Sequence, residues 1–375
     1  MSEIDKLRAA LETPQEKILK LGYGHYLLAM VRVAQGTGIF DAFAQSSLEI
    51  TLPILSRKTK GNEDLLIRVM RFLCAYNVFE NNGEKVATYQ ATPLALALAN
   101  GTTTGDTFKH LHNILPISAK LHAYFEKTSY ENPDDAYNGP LQFALDTKDH
   151  YFAWLNKDLE VQSAFNTVMG FGRRMRNNWF EMYPVMERLS LAASTSSGIT
   201  ERVLIVDIGG NRGHELAALK AHFPPLQGRL VLEDLPSVID NITESLDENI
   251  RILKYSMFDP QPIQGAKAYY MRTVLLDWPD KQALEILRNI REAMASDSVL
   301  LVYDLVYPDR NVPGAPASAI LDLMMMECFS ASVRTEKEWV DLLVRAGFRV
   351  EKVWEPEAEA LFSVALFKAV VEQSI

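Results

Sequence analysis

A run of apolar residues followed by closely spaced glycines is the clearest chemical signal in this sequence. Residues 203–214 read V-L-I-V-D-I-G-G-N-R-G-H, which predicts a buried strand, a tight turn after Asp207 and a helix. Gly209, Gly210 and Gly213 would let the backbone turn sharply and approach a ligand, and the helix would present unpaired N–H donors. A plain strand-to-helix turn is the alternative, because G-G-x-x-G is not a full G-x-G-x-x-G motif.

The next apolar strand ends in an acidic pair. This strand runs from Leu230 to Glu233, and the pair is Glu233-Asp234. The pair lies roughly 20 residues after the glycines, where a ribose-binding carboxylate is expected. The spacing alone does not separate a nicotinamide cofactor from S-adenosylmethionine.

Four further motifs narrow the interpretation. They are L-E-D-L-P-S-V-I (232–239), Y-S-M-F-D-P-Q-P (255–262), A-Y-Y-M-R-T-V-L-L-D-W-P-D (268–280) and R-T-E-K-E-W (334–339). In this order and spacing, the chain resembles the S-adenosylmethionine-dependent O-methyltransferases of the plant caffeate and fungal secondary-metabolite type. The resemblance covers most of the chain. It implies an α/β class I methyltransferase domain, Rossmann-like with an antiparallel terminal hairpin, and an N-terminal helical, winged-helix dimerisation domain.

The resemblance also implies a site for S-adenosylmethionine. Asp234 would bind the ribose hydroxyls through charge-assisted hydrogen bonds, and Met257 and Phe258 would pack on the adenine. Arg272 stands where the family has a lysine near the adenine, and Ser256 replaces an acidic residue that binds the adenine amino group. The implied cofactor residues are Asp207, Gly209, Gly210, Gly213, Asp234, Leu235, Met257, Phe258 and Arg272.

The family's base for methyl transfer is missing. That base is the histidine of an H-D-W motif, but here the motif reads Leu276-Asp277-Trp278, and leucine cannot accept a proton. The orienting carboxylate of the family's E-R-T motif is also absent, because this motif reads Val333-Arg334-Thr335. Only Asp304, at the end of the strand that follows the H-D-W position, keeps the acidic character of an orienting residue. The loss of both groups predicts that the histidine mechanism has been abandoned.

Some fungal proteins that resemble O-methyltransferases catalyse dehydrations and pericyclic reactions of polyketides instead. In such sites hydrogen bonds to a carbonyl and the cofactor's sulfonium stabilise negative charge, and an apolar pocket holds the reactive conformer. The candidate catalytic residues here are Asp277, His112, Arg334 and Asp304; His110 and His122 are further polar candidates in the helical segment. The predicted pocket residues are Phe143, Phe165, Met169, Trp179, Leu276, Asp322, Met325 and Met326.

The amino-acid composition argues against nucleic-acid binding and against a membrane-spanning protein. The 375 residues are 48% hydrophobic with a net charge of −10, which indicates an acidic globular protein without the basic surface that nucleic acid requires. The two cysteines lie in apolar helical patterns, which fits a reducing compartment. No apolar run reaches the length of a membrane span and no leader pattern opens the chain, so a cytoplasmic protein with no membrane contact is predicted. No metal site is predicted.

Three domains are predicted: a winged-helix-like dimerisation domain (1–107), a helical pocket segment (108–198) and an S-adenosylmethionine-binding domain (199–375). A hairpin turn is expected at Asn82-Gly83, and helix 64–76 has too few basic residues to bind DNA. In the third domain, strands are expected near 203–207, 229–233, 250–255, 267–272, 298–306, 348–354 and 361–369. Helices are expected between them, near 214–223, 235–241, 280–295, 315–329 and 335–346.

Three functional hypotheses remain open. In the first, the protein guides a cyclisation, dehydration or rearrangement of a hydrophobic polyketide-like substrate without methylation. In the second, it is an O-methyltransferase that uses another base, or whose phenolic or enolic substrate is acidic enough to need none. In the third, it is a catalytically inactive partner of another protein. A homodimer is expected, because the N-terminal half carries more apolar surface than a monomer would leave exposed.

Overall fold

The computed structural model describes residues 11–46, 49–82, 87–174, 178–189, 202–242, 246–308, 316–356 and 363–372. The chain forms two compact units. The helical unit contains residues 1–120 and 151–175, and the sheet unit contains residues 121–150 and 176–375. The predicted pocket segment, 108–198, is therefore shared between the two units instead of forming a body of its own.

The first half of the chain is mainly helical. Its elements are α1 (Pro14–Thr37), α2 (Ile39–Ala44), β1 (Ile50–Thr51), α3 (Leu52–Lys58), α4 (Glu63–Ala75), β2 (Phe79–Asn81), β3 (Thr88–Ala91), α5 (Pro93–Ala97), α6 (Thr103–Ser118), α7 (Leu121–Lys127), α8 (Pro140–Leu145), α9 (Tyr151–Leu155) and α10 (Leu159–Arg174). A capping box between Thr13 and Glu16 opens α1, and Gly38 ends it in a left-handed conformation, φ +82°.

The helical unit also contains a small antiparallel sheet in the order β1-β3-β2. Phe79 pairs with Ala91 and Asn81 with Tyr89, so β2 and β3 form the arms of a hairpin. The expected turn at Asn82-Gly83 is only partly visible, because Gly83 lies outside the described residues. Phe40, Phe43 and Phe79 pack together in the core of this unit.

The second half of the chain alternates between strands and helices. Its elements are α11 (Trp179–Met182), α12 (Val185–Arg188), β4 (Val203–Ile208), α13 (His214–His222), β5 (Arg229–Asp234), α14 (Pro236–Ile239), β6 (Ile250–Lys254), β7 (Ala268–Arg272), a 3₁₀ turn (Leu275–Asp277), α15 (Asp280–Ala293), β8 (Val299–Leu305), α16 (Pro316–Phe329), α17 (Glu336–Arg345), β9 (Phe348–Trp354) and β10 (Val364–Val371).

Seven of these strands form one sheet in the order β6-β5-β4-β7-β8-β10-β9. The first five are parallel, whereas β10 runs antiparallel to both β8 and β9, which confirms the predicted terminal hairpin. Asp207 pairs with Tyr270 of β7, and Arg272 pairs with Tyr303 of β8. The carboxyl ends of the central strands therefore meet at one edge, where open α/β sheets bind ligands.

Local sequence explains several boundaries in the sheet unit. The polar α15 buries a stripe that includes Ala283, Leu287 and Ile290 against the sheet, as its 3.6-residue period predicts. A capping box between Thr335 and Glu338 opens α17. Within the described part of the chain, no helix combines the length and apolarity that crossing a bilayer requires.

Candidate functional site

The loop after β4 folds tightly against β5. The backbone N–H groups of Gly209 and Gly210 both donate to the Glu233 carbonyl, at 2.8 and 3.2 Å. Gly209 and Gly213 have φ values of +71° and +73°, which other residues adopt only with strain. A Cβ atom at Gly210 would lie 2.5 Å from Asp207 Oδ2, so only glycine fits there. The loop forms a narrow cradle whose backbone a ligand can approach closely.

Asp234 anchors this cradle from the end of β5. Its Oδ2 accepts a hydrogen bond from Asn211 N at 2.8 Å, and its Oδ1 accepts one from Leu235 N at 2.7 Å. Asn211 itself is left-handed, φ +54°, so the carboxylate holds a strained residue of the loop. Burial raises the pKa of Asp234 despite these two hydrogen bonds. Each carboxylate oxygen retains a lone pair for a ribose hydroxyl.

The residues predicted to pack on the adenine, Met257 and Phe258, follow β6 in the chain. A Cβ atom at Gly209 would lie 3.8 Å from the Met257 methyl group, which places Met257 against the glycine loop. Phe258 meets the Trp278 ring edge to face, with 4.7 Å between centroids. The Ser256 hydroxyl accepts a weak hydrogen bond from Phe258 N at 3.4 Å. Met257 and Phe258 provide apolar packing for a planar ring, and Leu235, which follows Asp234 in the chain, is 40% exposed.

Arg272 lies on the other side of β4. Its guanidinium pairs with Glu215 at 2.5 Å and stands over the Tyr303 ring, 5.1 Å from the centroid. The strand order β6-β5-β4-β7 places β4 between the strands of Arg272 and Asp234. The Nη2 atom of Arg272 has no hydrogen-bond partner among the described residues.

The turn that replaces the H-D-W motif follows β7. Leu276 is buried, 4% exposed, and presents no proton acceptor. Its backbone N–H donates to Asp304 Oδ2 at 3.3 Å, and Asp304 Oδ1 accepts from Leu305 N at 2.8 Å. Asp304 is itself buried at the end of β8. The predicted orienting acid therefore holds the backbone of the turn rather than a histidine.

Asp277 has the environment of a neutral acid. Burial, and then the nearby charge of Asp304, raises its pKa well above the ordinary value for an aspartate. Ionisation of one of these two carboxyls makes ionisation of the other less favourable, because the two negative charges repel each other. Burial also raises the pKa of the neighbouring Cys328 thiol, so this cysteine is not a nucleophile at neutral pH. The raised pKa favours the protonated form of Asp277, which can donate a proton or a hydrogen bond.

The side chain of Arg334, which was predicted as a catalytic residue, forms its contacts within the protein. Its guanidinium donates to the carbonyls of Leu275 and Trp278, at 3.0 and 2.8 Å, and to the Asp280 carboxylate. It also stands over Trp339, 4.9 Å from the ring centroid. With 2% of its surface exposed, Arg334 can position the 275–278 turn but cannot reach a substrate.

A histidine that the motifs did not indicate lies beside this turn. His150 stacks on Trp278, with 4.4 Å between centroids and 10° between planes, and contacts Tyr137 and Phe329. It is 7% exposed, and burial lowers its pKa to about 4, so its imidazole is neutral at pH 7. No sequence spacing links position 150 to position 278, and only the fold brings the two rings together.

Of the other histidine candidates, His110 and His112 belong to the helical unit and His122 to the sheet unit. Burial and then Arg32 lower the pKa of His112 on α6. The deeper residue is His110, which is 4% exposed, has a pKa lowered to about 4 by burial and lies 5.6 Å from the Phe165 ring. His110 Nδ1 and Asn113 Nδ2, one turn apart, have no hydrogen-bond partner within the described ranges. His122 is exposed.

The predicted pocket residues have different environments. Trp179 is enclosed by Phe180, Tyr183 and Tyr270 and is 1% exposed, so it is a core residue and not part of an open pocket wall. Asp322 accepts a hydrogen bond from Val333 N at 2.8 Å. The remaining positions are half-buried Phe143, Phe165 and Met326, buried Met325 and 49% exposed Met169.

Glu233 is an unpredicted buried acid beside the glycine loop. Its carboxyl accepts a hydrogen bond from Gln261 at 2.8 Å, and burial raises its pKa from 4.5 to about 7. The unfolded chain loses this proton at lower pH, so stability falls as pH rises from about 4.5 to 7. We expect Glu233→Gln to abolish this loss. In thermal unfolding, the stability gain over the wild type should be larger at pH 8 than at pH 5, by about 3 kcal/mol.

The matched control for this prediction is Glu248→Gln, which changes an exposed glutamate of the same unit. This variant should follow the wild type at both pH values. Equal melting-temperature shifts for Glu233→Gln at pH 5 and pH 8 would contradict the raised pKa.

Two family models match the sequence. The O-methyltransferase dimerisation domain matches residues 19–101, and the O-methyltransferase domain matches residues 165–349. The O-methyltransferase ucdC of Aspergillus ustus is 33% identical, over 92% of this chain and 88% of the relative. The demethylsterigmatocystin 6-O-methyltransferase of Aspergillus flavus is 29% identical, over 96% of this chain and 90% of the relative.

Solved structures share the fold over nearly the whole chain. OxaC in complex with sinefungin and meleagrin is 26% identical with a TM-score of 0.82, covering 96% of this chain and 89% of that chain. LepI in complex with SAM is 25% identical with a TM-score of 0.79, covering 98% and 92%. A structure described as a pericyclic reaction enzyme has the same identity, TM-score and coverage as LepI.

Proposed function

The chain belongs to the O-methyltransferase family, and we propose that it binds S-adenosylmethionine but catalyses a reaction other than methyl transfer. The proposed reaction is a pericyclic cyclisation, a dehydration or a related rearrangement of a hydrophobic, polyketide-type small molecule. Proteins similar to this chain include demethylsterigmatocystin 6-O-methyltransferase and a structure described as a pericyclic reaction enzyme.

The chemistry of the Leu276-Asp277 turn carries this proposal. Methyl transfer to a hydroxyl requires a group that accepts the hydroxyl proton. The turn offers instead a buried leucine and an aspartic acid whose pKa is raised by desolvation and by the charge of Asp304, which favours its protonated form. A neutral carboxylic acid in a low-dielectric site is a strong hydrogen-bond donor. The turn is therefore suited to acid catalysis.

Asp277 would act in two ways. In a dehydration, its O–H donates a proton to a substrate hydroxyl, which leaves as water while the C–O bond breaks. The resulting carboxylate then takes a proton from a carbon of the same substrate, so the net change is the loss of one water. In a pericyclic reaction, Asp277 donates a hydrogen bond to a carbonyl oxygen and stabilises the charge that develops there. Arg334 and Asp304 position the turn in both cases.

The residues present fit the cofactor. The glycine loop lets a ligand approach its backbone closely. Asp234 presents two acceptor oxygens and, among the described residues, Arg272 has an unpaired N–H donor for a carboxylate. When bound, S-adenosylmethionine supplies a positive sulfonium that stabilises negative charge on a nearby oxygen.

The first test identifies what the purified protein carries. The protein is denatured, and mass spectrometry identifies the small molecules that it releases. Release of intact S-adenosylmethionine supports the proposal, because the methyl group has not been transferred. Release of S-adenosylhomocysteine would overturn it in favour of methylation. If neither molecule is released, and neither binds when added, the proposed cofactor role is wrong.

Methyl transfer is the second candidate, and His150 is the observation that favours it. This imidazole is neutral at pH 7 and lies against Trp278, two residues from the position of the missing base. Several relatives are O-methyltransferases by name. Restoring the family base with Leu276→His tests this candidate. The substitution should increase methylation of a phenolic or enolic substrate if methylation is the native reaction, and have little effect otherwise.

Arg272 should bind the cofactor through its carboxylate. We expect Arg272→Met to weaken S-adenosylhomocysteine binding by about tenfold or more, because one hydrogen bond to a charged group is lost. Methylthioadenosine, which lacks the amino-acid tail, should bind this variant as tightly as it binds the wild type. Isothermal titration calorimetry measures both affinities.

Glu215→Gln provides the matched control, since it breaks the same ion pair but keeps the Arg272 charge. If it weakens S-adenosylhomocysteine binding as much as Arg272→Met, then Arg272 acts only by supporting the loop. Loss of methylthioadenosine binding in Arg272→Met would likewise exclude a carboxylate role.

A homodimer is proposed as the assembly. Residues 19–101 match a dimerisation domain, and the amino-terminal half of α1 exposes apolar side chains that one copy leaves uncovered, including Ile18, Leu19 and Leu21. Sedimentation equilibrium tests this assignment, and a monomer at all concentrations would contradict it.

A further inference from the structure

Two adjoining grooves lie on the sheet unit, away from the site described above. Their volumes are about 300 and 420 Å³, and they share Arg188 and Lys368. The first groove is bordered by Lys267 and Val299, which flank the amino ends of β7 and β8. The carboxyl ends of the same strands carry the proposed catalytic turn, so the grooves occupy the opposite edge of the sheet.

The grooves are basic in an acidic protein. Five cationic side chains line them, against the two acids Asp297 and Glu351, whereas the whole chain has a net charge of −10. The five are Arg188, Lys267, Arg349, Lys352 and Lys368. This concentration of positive charge predicts a local attraction for anions.

Both acids are already bound to basic groups. Asp297 pairs with Arg202 at 2.7 Å and Lys267 at 3.2 Å, and these contacts lower its pKa far below the ordinary value. Glu351 pairs with Lys368 at 2.7 Å and Arg349 at 3.0 Å, and its pKa is lowered too. Their charge is therefore matched by two partners each.

Arg188 remains free at the junction. Its guanidinium is exposed and forms no ion pair or hydrogen bond with any residue that the structure describes. Because the guanidinium offers a planar fork of N–H donors, it can bind two oxygens of one phosphate.

Tyr183 lies beside Arg188 and adds a hydrogen-bond donor. Its side chain is buried, 2% exposed, and its ring meets Trp354 edge to face at 5.4 Å. Its hydroxyl has no hydrogen-bond partner in the described part of the chain, although it lines the first groove. A buried hydroxyl without a partner is costly, and native proteins satisfy such groups with few exceptions. A ligand oxygen in the groove would supply the missing acceptor.

We propose that these grooves bind a phosphate group through Arg188, Lys368 and the Tyr183 hydroxyl. A phosphate offers several acceptor oxygens and two negative charges, which match a guanidinium fork, an ammonium and a phenolic O–H. The phosphate belongs either to a free inorganic anion or to a larger ligand such as a phosphopantetheine carrier. This binding is independent of the reaction at the Asp277 turn.

Isothermal titration calorimetry at low salt tests the proposal with pyrophosphate and coenzyme A as probes. Tyr183→Phe removes only the hydroxyl, and Arg188→Met removes an exposed charge that no described residue needs for folding. Arg251→Met is the matched control, because Arg251 is exposed on the opposite edge strand, β6. Thermal unfolding of each variant is measured in parallel.

The expected result is a loss of about tenfold or more in pyrophosphate affinity for Tyr183→Phe and Arg188→Met, with Arg251→Met unchanged. Tyr183→Phe should melt no lower than the wild type, since its hydroxyl has no partner in the free protein. Coenzyme A binding that is tighter than pyrophosphate binding identifies the phosphopantetheine source, and equal binding identifies the free anion. Wild-type affinity in both variants, or no binding of either probe, would overturn the proposal.

Discussion

Asp277→Asn is expected to reduce turnover by about 100-fold or more, whatever substrate the wild type converts. The asparagine keeps the shape of the side chain and can still donate an N–H hydrogen bond, but it has no proton to transfer. The carboxyl of Asp277 is desolvated next to Asp304, and this environment raises its pKa and favours the protonated form. A dehydration should therefore lose more activity than a pericyclic step that needs only a hydrogen bond.

The protonation state can be measured without knowing the substrate. Infrared difference spectra between the wild type and Asp277→Asn should contain the C=O band of a protonated carboxylic acid at pH 7. If the difference spectrum contains only carboxylate bands, Asp277 is ionised and the proposed acid chemistry is wrong.

Asp304→Asn gives the paired variant for this measurement. Removing the neighbouring negative charge should lower the pKa of Asp277, because that charge is one of the two causes of its increase. A raised pKa keeps the acid protonated as the pH increases, so the band and the turnover should disappear at lower pH in Asp304→Asn than in the wild type. An unchanged pH profile would exclude coupling between the two acids.

Asp234→Asn is expected to weaken S-adenosylhomocysteine binding by about 100-fold, since two charge-assisted interactions are affected. Asp234 accepts hydrogen bonds from Asn211 N and Leu235 N through its two oxygens. An amide has one oxygen, so its NH₂ group must face one of these N–H donors. The substitution therefore removes an anchor of the glycine loop and also the Asp234 carboxylate that is proposed to bind the ribose. Fluorescence titration or calorimetry measures the affinity.

Asp240→Asn is the control for this variant. Asp240 follows α14 on the surface and pairs only with Lys254 among the described residues, at 2.5 Å. Its substitution should leave the affinity unchanged. Near-wild-type binding by Asp234→Asn would exclude Asp234 from the cofactor site.

The sheet unit was predictable because its periodicity is unambiguous. Apolar runs such as 203–208 and 299–305 are fully enclosed strands, and α15 shows a clear polar and apolar face. The antiparallel terminal hairpin that the resemblance implies is confirmed by the pairing of β9 with β10, in which Lys368 is in register with Lys352. Periodicity does not show that residues 121–150, which precede the third predicted domain in sequence, belong to the sheet unit.

The site could be predicted only where the local spacing of residues within one motif determines how they are arranged. The glycine loop and the carboxylate at Asp234 follow from local spacing. His150 was missed because its contact with Trp278 joins positions far apart in the chain. The motif at Arg334 identified an important arginine but not its role, since sequence does not show that backbone carbonyls of Leu275 and Trp278 surround it. Trp179 was predicted as a pocket residue, because the sequence pattern around an aromatic residue is the same in a protein core and in a pocket wall.

The position of β10 has a consequence for synthesis on the ribosome. This strand follows β9 in the chain, but it lies between β8 and β9 in the sheet. During translation β9 emerges first and, in the described structure, has no strand to pair with until β10 follows. The backbone edge of β8 on that side is likewise unpaired until then. The nascent chain should consequently depend on chaperones between the synthesis of β9 and that of β10, when an unpaired strand edge is exposed to aggregation.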